Sequence, residues 1–416
     1  MNVTLITLIV YACLLLGIGL WAQRRTHSNS DYLLGGRALG PWVAGISASA
    51  SSSSAWTLLG VSGAAYYWGL SAIWLFPATL GGFLINWLVV APRLQAISQK
   101  TGALTLSEVL APAELNARRA IVLRVAAMII LFSFVFYIAS QFEGAAKAFD
   151  VYFGWPRELG ILLGVAVVLA YTLLGGFWAA SVSDTLQGLM MSAAALILPI
   201  AALIHFGGAG GFMEAFDSSA TASAGALTGE FGGVAALLFV LGTLGIGLGY
   251  PGQPHVVNRF MALKDESSLR RARVIALTWA VLIYSGMLIV GWSARSIIGE
   301  LADGEQALFL LSEQLLPAVV SGVLLAAVLS AIMSTADSQL LVAASTLSHD
   351  WNLAQRGQAS SMGHSRGLLI VLCVLSALLA IYLPDENAPC WRPAHAGQDS
   401  SHATKWTRQP GAGCRR

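Results

Sequence analysis

Charge is what this sequence lacks most: Asp, Glu, Lys and Arg make up 11% of its 416 residues, where a soluble globular domain carries roughly 25%. Neither sign dominates. The formal net charge is +2, which gives no electrostatic footprint for a nucleic-acid partner. Cysteine is scarce as well, and Cys13, Cys373, Cys390 and Cys414 form no C-x-x-C spacing. That argues against a disulfide framework and against a metal or redox site. No nucleophile, base and orienter set stands out, so a membrane enzyme is the weakest of the function classes. The first apolar segment, from about Val3 to Trp21, has no basic n-region and no small-residue cleavage site, and it matches the roughly 20 residues of a bilayer crossing. It reads as a retained helix.

Apolar residues are what the chain has in abundance, at 56%. Ten stretches are long enough to span, near 3–22, 42–64, 70–91, 123–142, 158–176, 184–205, 232–254, 273–294, 316–345 and 367–383. The composition and these spans predict an all-α polytopic membrane protein; the cell (inner) membrane is its expected location. With the N-terminus outside, fifteen Lys and Arg residues, Arg37, Arg93, Lys100, Arg259 and Arg273 among them, fall on the cytoplasmic side, and only Lys147, Arg157 and Arg295 fall in outer loops. Positive charge stays cytoplasmic in short loops, so this split sets the orientation. Within cytoplasmic residues 92–122, Thr105-Leu106-Ser107-Glu108 has the form of a helix start and predicts a short interfacial helix.

Two spans carry sequence that breaks a helix. One contains the hydroxyl run Ser47 to Ser54, the other Gly245 to Pro254. Backbone can unwind in hydrocarbon only where it lines a cavity or binds something, and broken helices at corresponding positions of two repeats mark the midplane site of inverted-repeat transporters. The alternative is that these small residues only let helices pack closely. The spacing predicts a transporter domain over 1–386: one extra N-terminal helix, a five-helix repeat over 42–205, and an incomplete second repeat over 232–383.

Asp31 to Arg37, Gly249-Tyr250-Pro251-Gly252-Gln253-Pro254-His255 and Met333-Ser334-Thr335-Ala336-Asp337-Ser338-Gln339 together resemble the sodium:solute symporter family, its sodium/proline symporters most nearly. The resemblance runs to about Pro384 and implies the five-plus-five fold and sodium-coupled uptake of a small solute, proline or another small amino acid or carboxylate. It implies sodium as coupling ion, no cofactor, the bilayer as environment and no obligate protein partner. Carried over by position, the sodium ligands are the carbonyls of Ala50, Ser53 and Ala331 and the hydroxyls of Ser334 and Thr335, with Asp184 on the cytoplasmic sodium path. Hard oxygen ligands suit a hard cation. Ser and Thr in membrane helices also bond back to their own carbonyls. The solute positions are Ser54, Ala55, Trp56, Tyr137, Ile246, Tyr250 and Pro254, although single aromatics in such helices often serve as packing or interfacial anchors. Two positions depart from the sodium/proline symporters: Ser52 stands where they have aspartate, and Ile246 where they have tryptophan.

Among the membrane acids, Asp184 is expected at the start of helix 6, Asp337 either holds a second cation or pairs with a neighbouring helix, and Glu143 is expected to pair with Lys147 four residues on. Residues 387–416 lack apolar periodicity and place five cations on the outer side. That predicts a non-family, possible frame-shift tail on a truncated chain, with poor stability and little transport. A non-transporting fragment and a transporter-like sensor are the rival readings.

Overall fold

The computed structural model describes residues 3–114, 116–219, 223–351, 353 and 362–382; the expected tail at 387–416 lies outside them. Among the described residues the regular structure is helical, with no strand and one isolated bridge between Leu39 and Leu263. Helix α1 (Val3–Gln23) crosses first, and a short α2 (Asn29–Leu34) leads to α3 (Pro41–Ser52). Then follow α4 (Val61–Trp68), α5 (Leu75–Ile85), α6 (Ala91–Thr101), α7 (Leu106–Leu110), α8 (Ala117–Phe153), α9 (Arg157–His205) and α10 (Ala209–Ser219). The rest comprises α11 (Gly233–Gly245), α12 (Pro254–Met261), α13 (Glu266–Ile298), α14 (Ala307–Leu315), α15 (Ala318–Ser345) and α16 (Met362–Tyr382).

Eight helical stretches among the described residues are long and apolar enough to cross a membrane. Two of them, Trp56–Thr101 and Arg157–His205, would each be roughly 70 Å long if straight, more than twice the hydrocarbon thickness. Each departs from helical geometry at a glycine and so divides in two, while the expected second crossing joins α3 (Pro41–Ser52), which is outside the eight, to the start of the Trp56–Thr101 stretch. At Gly69 φ is +61°, and a Cβ would stand 2.3 Å from the Ala224 carbonyl oxygen. At Gly176 φ is +56°, and a Cβ would meet the Tyr32 ring at 2.5 Å. Only glycine suits a backbone that is both left-handed and this crowded.

Burial sorts the helices by role. The apolar window of Ala318–Asp350 is 78% buried and that of Gly233–Gly252 only 17%, so α15 is the central post and α11 a peripheral one. Helix α15 packs against α9, α1, α8 and α3, and leucine and alanine from all of them merge into one apolar core. The exposed large side chains Val234, Leu238 and Leu248 form an outer face suited to lipid. At the end expected to face the cytoplasm, α7 starts as the sequence predicts: the Thr105 side chain accepts the Glu108 N–H at 3.2 Å, and Leu104 N–H donates to Glu108 Oε2 at 2.7 Å.

Candidate functional site

Helix α3 stops at Ser52, later than the start of the serine run. Its cap residue Ser53 has φ −112° and ψ 89°, Ser54 is non-helical, and winding resumes at Ala55. The second break has a covalent cause: α11 tightens into a 3-10 stretch over Ile246–Gly252 and opens at Gln253 (φ −101°, ψ 93°) before Pro254. Pro251 and Pro254 remove two backbone donors, so a regular ladder cannot continue.

The expected sodium ligands converge on the first break. Ser334 donates its hydroxyl to the carbonyl oxygens of Ala50 at 3.2 Å and Ala331 at 3.3 Å, and Thr335 donates to Ser51 O at 3.1 Å. The Ser53 N–H also points to Ala50 O, at 3.0 Å. Back-bonding within α15 therefore accounts for one contact of Ser334 and not for Thr335, which reaches across to α3. Carbonyl and hydroxyl oxygens from two helices meet here in a fully buried setting, a set of hard donors that carries no net charge.

Below the break lies a buried charge cluster that reading the sequence missed. Arg259, counted there with the cytoplasmic loop charges, is 1% exposed on α12. Its Nη2 lies 2.8 Å from Asp184 Oδ2. Asp184 Oδ2 also accepts from Ser47 and Ser51 at 2.8 Å each, while Arg259 donates to Ser47, Ser338 and the His255 carbonyl. One guanidinium thus ties α3, α9, α12 and α15 together. Helix 6 does not begin at Asp184: the break lies at Gly176, two turns earlier, so a helix-start role is ruled out by position. Asp337 pairs with a neighbouring helix, accepting the Tyr171 hydroxyl at 2.7 Å and its own neighbour Ser338 at 2.9 Å. The detectable signal for Arg259 was a lone cation inside Val256-Val257-Asn258-Arg259-Phe260-Met261, flanked by apolar residues.

Above the break opens a cavity of about 960 Å3. Ser54, Ala55, Trp56, Tyr137 and Ile246 line it. Trp56 is 40% exposed and stands as a wall. Tyr250 is buried away from it, its hydroxyl 2.6 Å from that of Tyr284, and Pro254 borders a separate apolar cavity of about 590 Å3 beside Arg93 and Leu94. The expected Glu143–Lys147 pair is replaced at the cavity mouth. Glu143 takes both of its oxygens to Arg157, and Lys147 lies 2.6 Å from Glu305, because tertiary neighbours offer better geometry than the next helical turn. At the opposite end Thr105 donates to Asp350 Oδ1 at 2.7 Å, and Glu108 faces His349 and Arg119. Burial works to raise the Glu108 carboxyl, but the His349 and Arg119 charges and the Leu104 N–H outweigh it and hold its pKa below the ordinary value.

The model of the sodium:solute symporter family matches residues 32–391. This chain belongs to that family. Sodium/proline symporter 2 of Staphylococcus saprophyticus is 36% identical over 389 residues, which cover 91% of this chain and 75% of the relative. The sodium/proline symporter of Staphylococcus aureus is 34% identical over the same shares. A sodium-coupled sialic acid symporter in a substrate-bound, outward-open state superposes with a TM-score of 0.79 at 20% identity, covering 92% of this chain and 82% of that one. Mhp1, a nucleobase-cation symporter, gives 0.52 at 14% identity, covering 86% and 75%. The two likenesses give the fold, a five-plus-five transporter, and membership of the family makes the chain a multi-pass sodium-coupled symporter, not an enzyme.

Proposed function

We propose that the symporter carries a small zwitterionic or carboxylate solute into the cell with sodium, proline being the first candidate. The observation that carries this reading is the meeting of Ser334 and Thr335 with the carbonyls of Ala50 and Ser51 at the helix break. In this reading sodium takes the carbonyls of Ala50, Ser53 and Ala331 and the hydroxyls of Ser334 and Thr335 as ligands. The hydroxyls that now donate to Ala50 and Ser51 turn their lone pairs to the ion, and the broken backbone supplies the rest without a buried net charge. Asp184 attracts the ion toward the cytoplasm. The solute occupies the cavity above, against Trp56, Tyr137 and Ile246, with its carboxylate toward the helix end at Ser54 and Ala55. Tyr250 supports that wall from behind through Tyr284, and Pro254 sets the break. The N-terminus lies outside and the protein sits in the cell membrane, as the distribution of Lys and Arg favours.

Uptake of radiolabelled proline into proteoliposomes, measured with and without an inward sodium gradient, tests the proposal. Accumulation that needs the gradient is expected. Equal uptake in its absence would remove sodium coupling from this chain.

A further inference from the structure

The end of the helix that faces the solute cavity already has an acceptor seated on it. Ala55 donates its backbone N–H to Gln141 Oε1 at 3.0 Å, and the Trp56 N–H reaches Ser54 Oγ at 3.3 Å. Gln141 comes from α8, four residues after Tyr137 and therefore on the same face one turn away. Both line the 960 Å3 cavity with Ser54 and Ala55. For packing alone a carboxamide is a costly choice here. Gln141 is 3% exposed, and while its oxygen serves the helix break, its Nε2 has a long 3.4 Å contact to Ser140 Oγ. A buried amide with one good partner and one poor one gains when something enters that can use both of its ends.

We propose that Gln141 is a specificity-determining residue for the solute. Its oxygen holds the Ala55 N–H in the solute-free site and gives that donor up to the carboxylate of an entering zwitterion, while the released carboxamide turns its N–H toward the second carboxylate oxygen. The exchange trades a neutral hydrogen bond for a charge-assisted one, which is roughly twice as strong. A neutral solute gains nothing from the same exchange, so the swap selects carboxylates over carboxamides and sugars. This rests on the reading that the solute carries a carboxylate.

The full chain in proteoliposomes tests it, with binding of labelled proline competed by unlabelled proline, prolinamide, short carboxylates and a sugar. In Gln141→Glu a fixed carboxylate satisfies the Ala55 N–H and repels the solute's own, so proline affinity is expected to fall about 10-fold or more; the unpaired buried carboxylate also lowers the thermal transition, so affinity is read well below it. Gln141→Leu leaves the donor open to any carbonyl, so proline still binds but its preference over prolinamide narrows. If Gln141→Glu fails to fold, Gln141→Leu carries the test. Wild-type affinity and wild-type preference in both variants would overturn the role of Gln141 alone. A wild-type protein that binds the sugar and none of the carboxylates would overturn the solute class and this role with it.

Discussion

Arg259→Gln removes one partner of a fully buried ion pair, and the structure sets the size of the effect. The Arg259 and Asp184 side chains are 1% and 0% exposed, so solvent cannot replace the lost charge. Asp184 Oδ2 would keep the Ser47 and Ser51 hydroxyls, which soften the loss without neutralising a carboxylate in a low-dielectric interior. Breaking such a pair costs about 3–5 kcal/mol, mostly because one charge is left uncompensated. Asp184→Asn alone is expected to cost a similar amount for the mirror reason. The double variant strands no charge, so it should cost well under the sum of the two, with a coupling of about 2 kcal/mol or more. Denaturant unfolding of the three variants in detergent, compared as a double-mutant cycle, measures this. Strict additivity would refute the argument, since it would mean that the two groups do not see each other's charge.

The remaining expectations are smaller in scope. Ile246→Trp adds a flat wall and an N–H donor to a cavity that Ile246 already lines, so proline competition should tighten; proline binding that is already tight and exclusive in the unmodified protein would show that this position does not matter. Because the folded-state pKa of Glu108 is depressed, its contribution to holding α7 is present above the unfolded carboxylate value and is lost as pH falls through the folded one. Amide protection over 104–110, taken relative to the intrinsic exchange rate at each pH, should accordingly fall on acidification below the ordinary carboxylate range, and Glu108→Gln should flatten that dependence. An identical acid response in the variant would assign it to other groups.

The fold was legible because its signals are strong and local. Long apolar runs dictate crossings, Pro251 and Pro254 dictate a break, and Thr105 with Glu108 dictates a capped turn. The meeting of Ser334 and Thr335 with α3 was legible only through the resemblance, since 284 residues separate the partners. What stayed hidden depends on three-dimensional proximity. Arg259 reads as a loop cation until α12 is seen folded under α3 and α9. Glu143 and Lys147 obey a valid helical rule that Arg157 and Glu305 override. Tyr250 lies within a cavity-forming motif, yet Tyr284 and Phe83 hold it on the buried side of the break, a choice that helix rotation makes and motif spacing does not.

Sodium activation of the Ser334→Ala, Thr335→Ala double variant addresses the central claim most directly. Each ligand oxygen lost from a charge is worth about 1.5–3 kcal/mol, so the pair should raise half-saturating sodium about 100-fold or more. Both side chains are buried and small, and each has a hydrogen bond to the break as its cross-helix contact, so the fold should lose far less than the ion does. A large rise in half-saturating sodium with a nearly unchanged thermal transition is the predicted result. Unchanged half-saturating sodium would contradict the placement of the ion between α3 and α15.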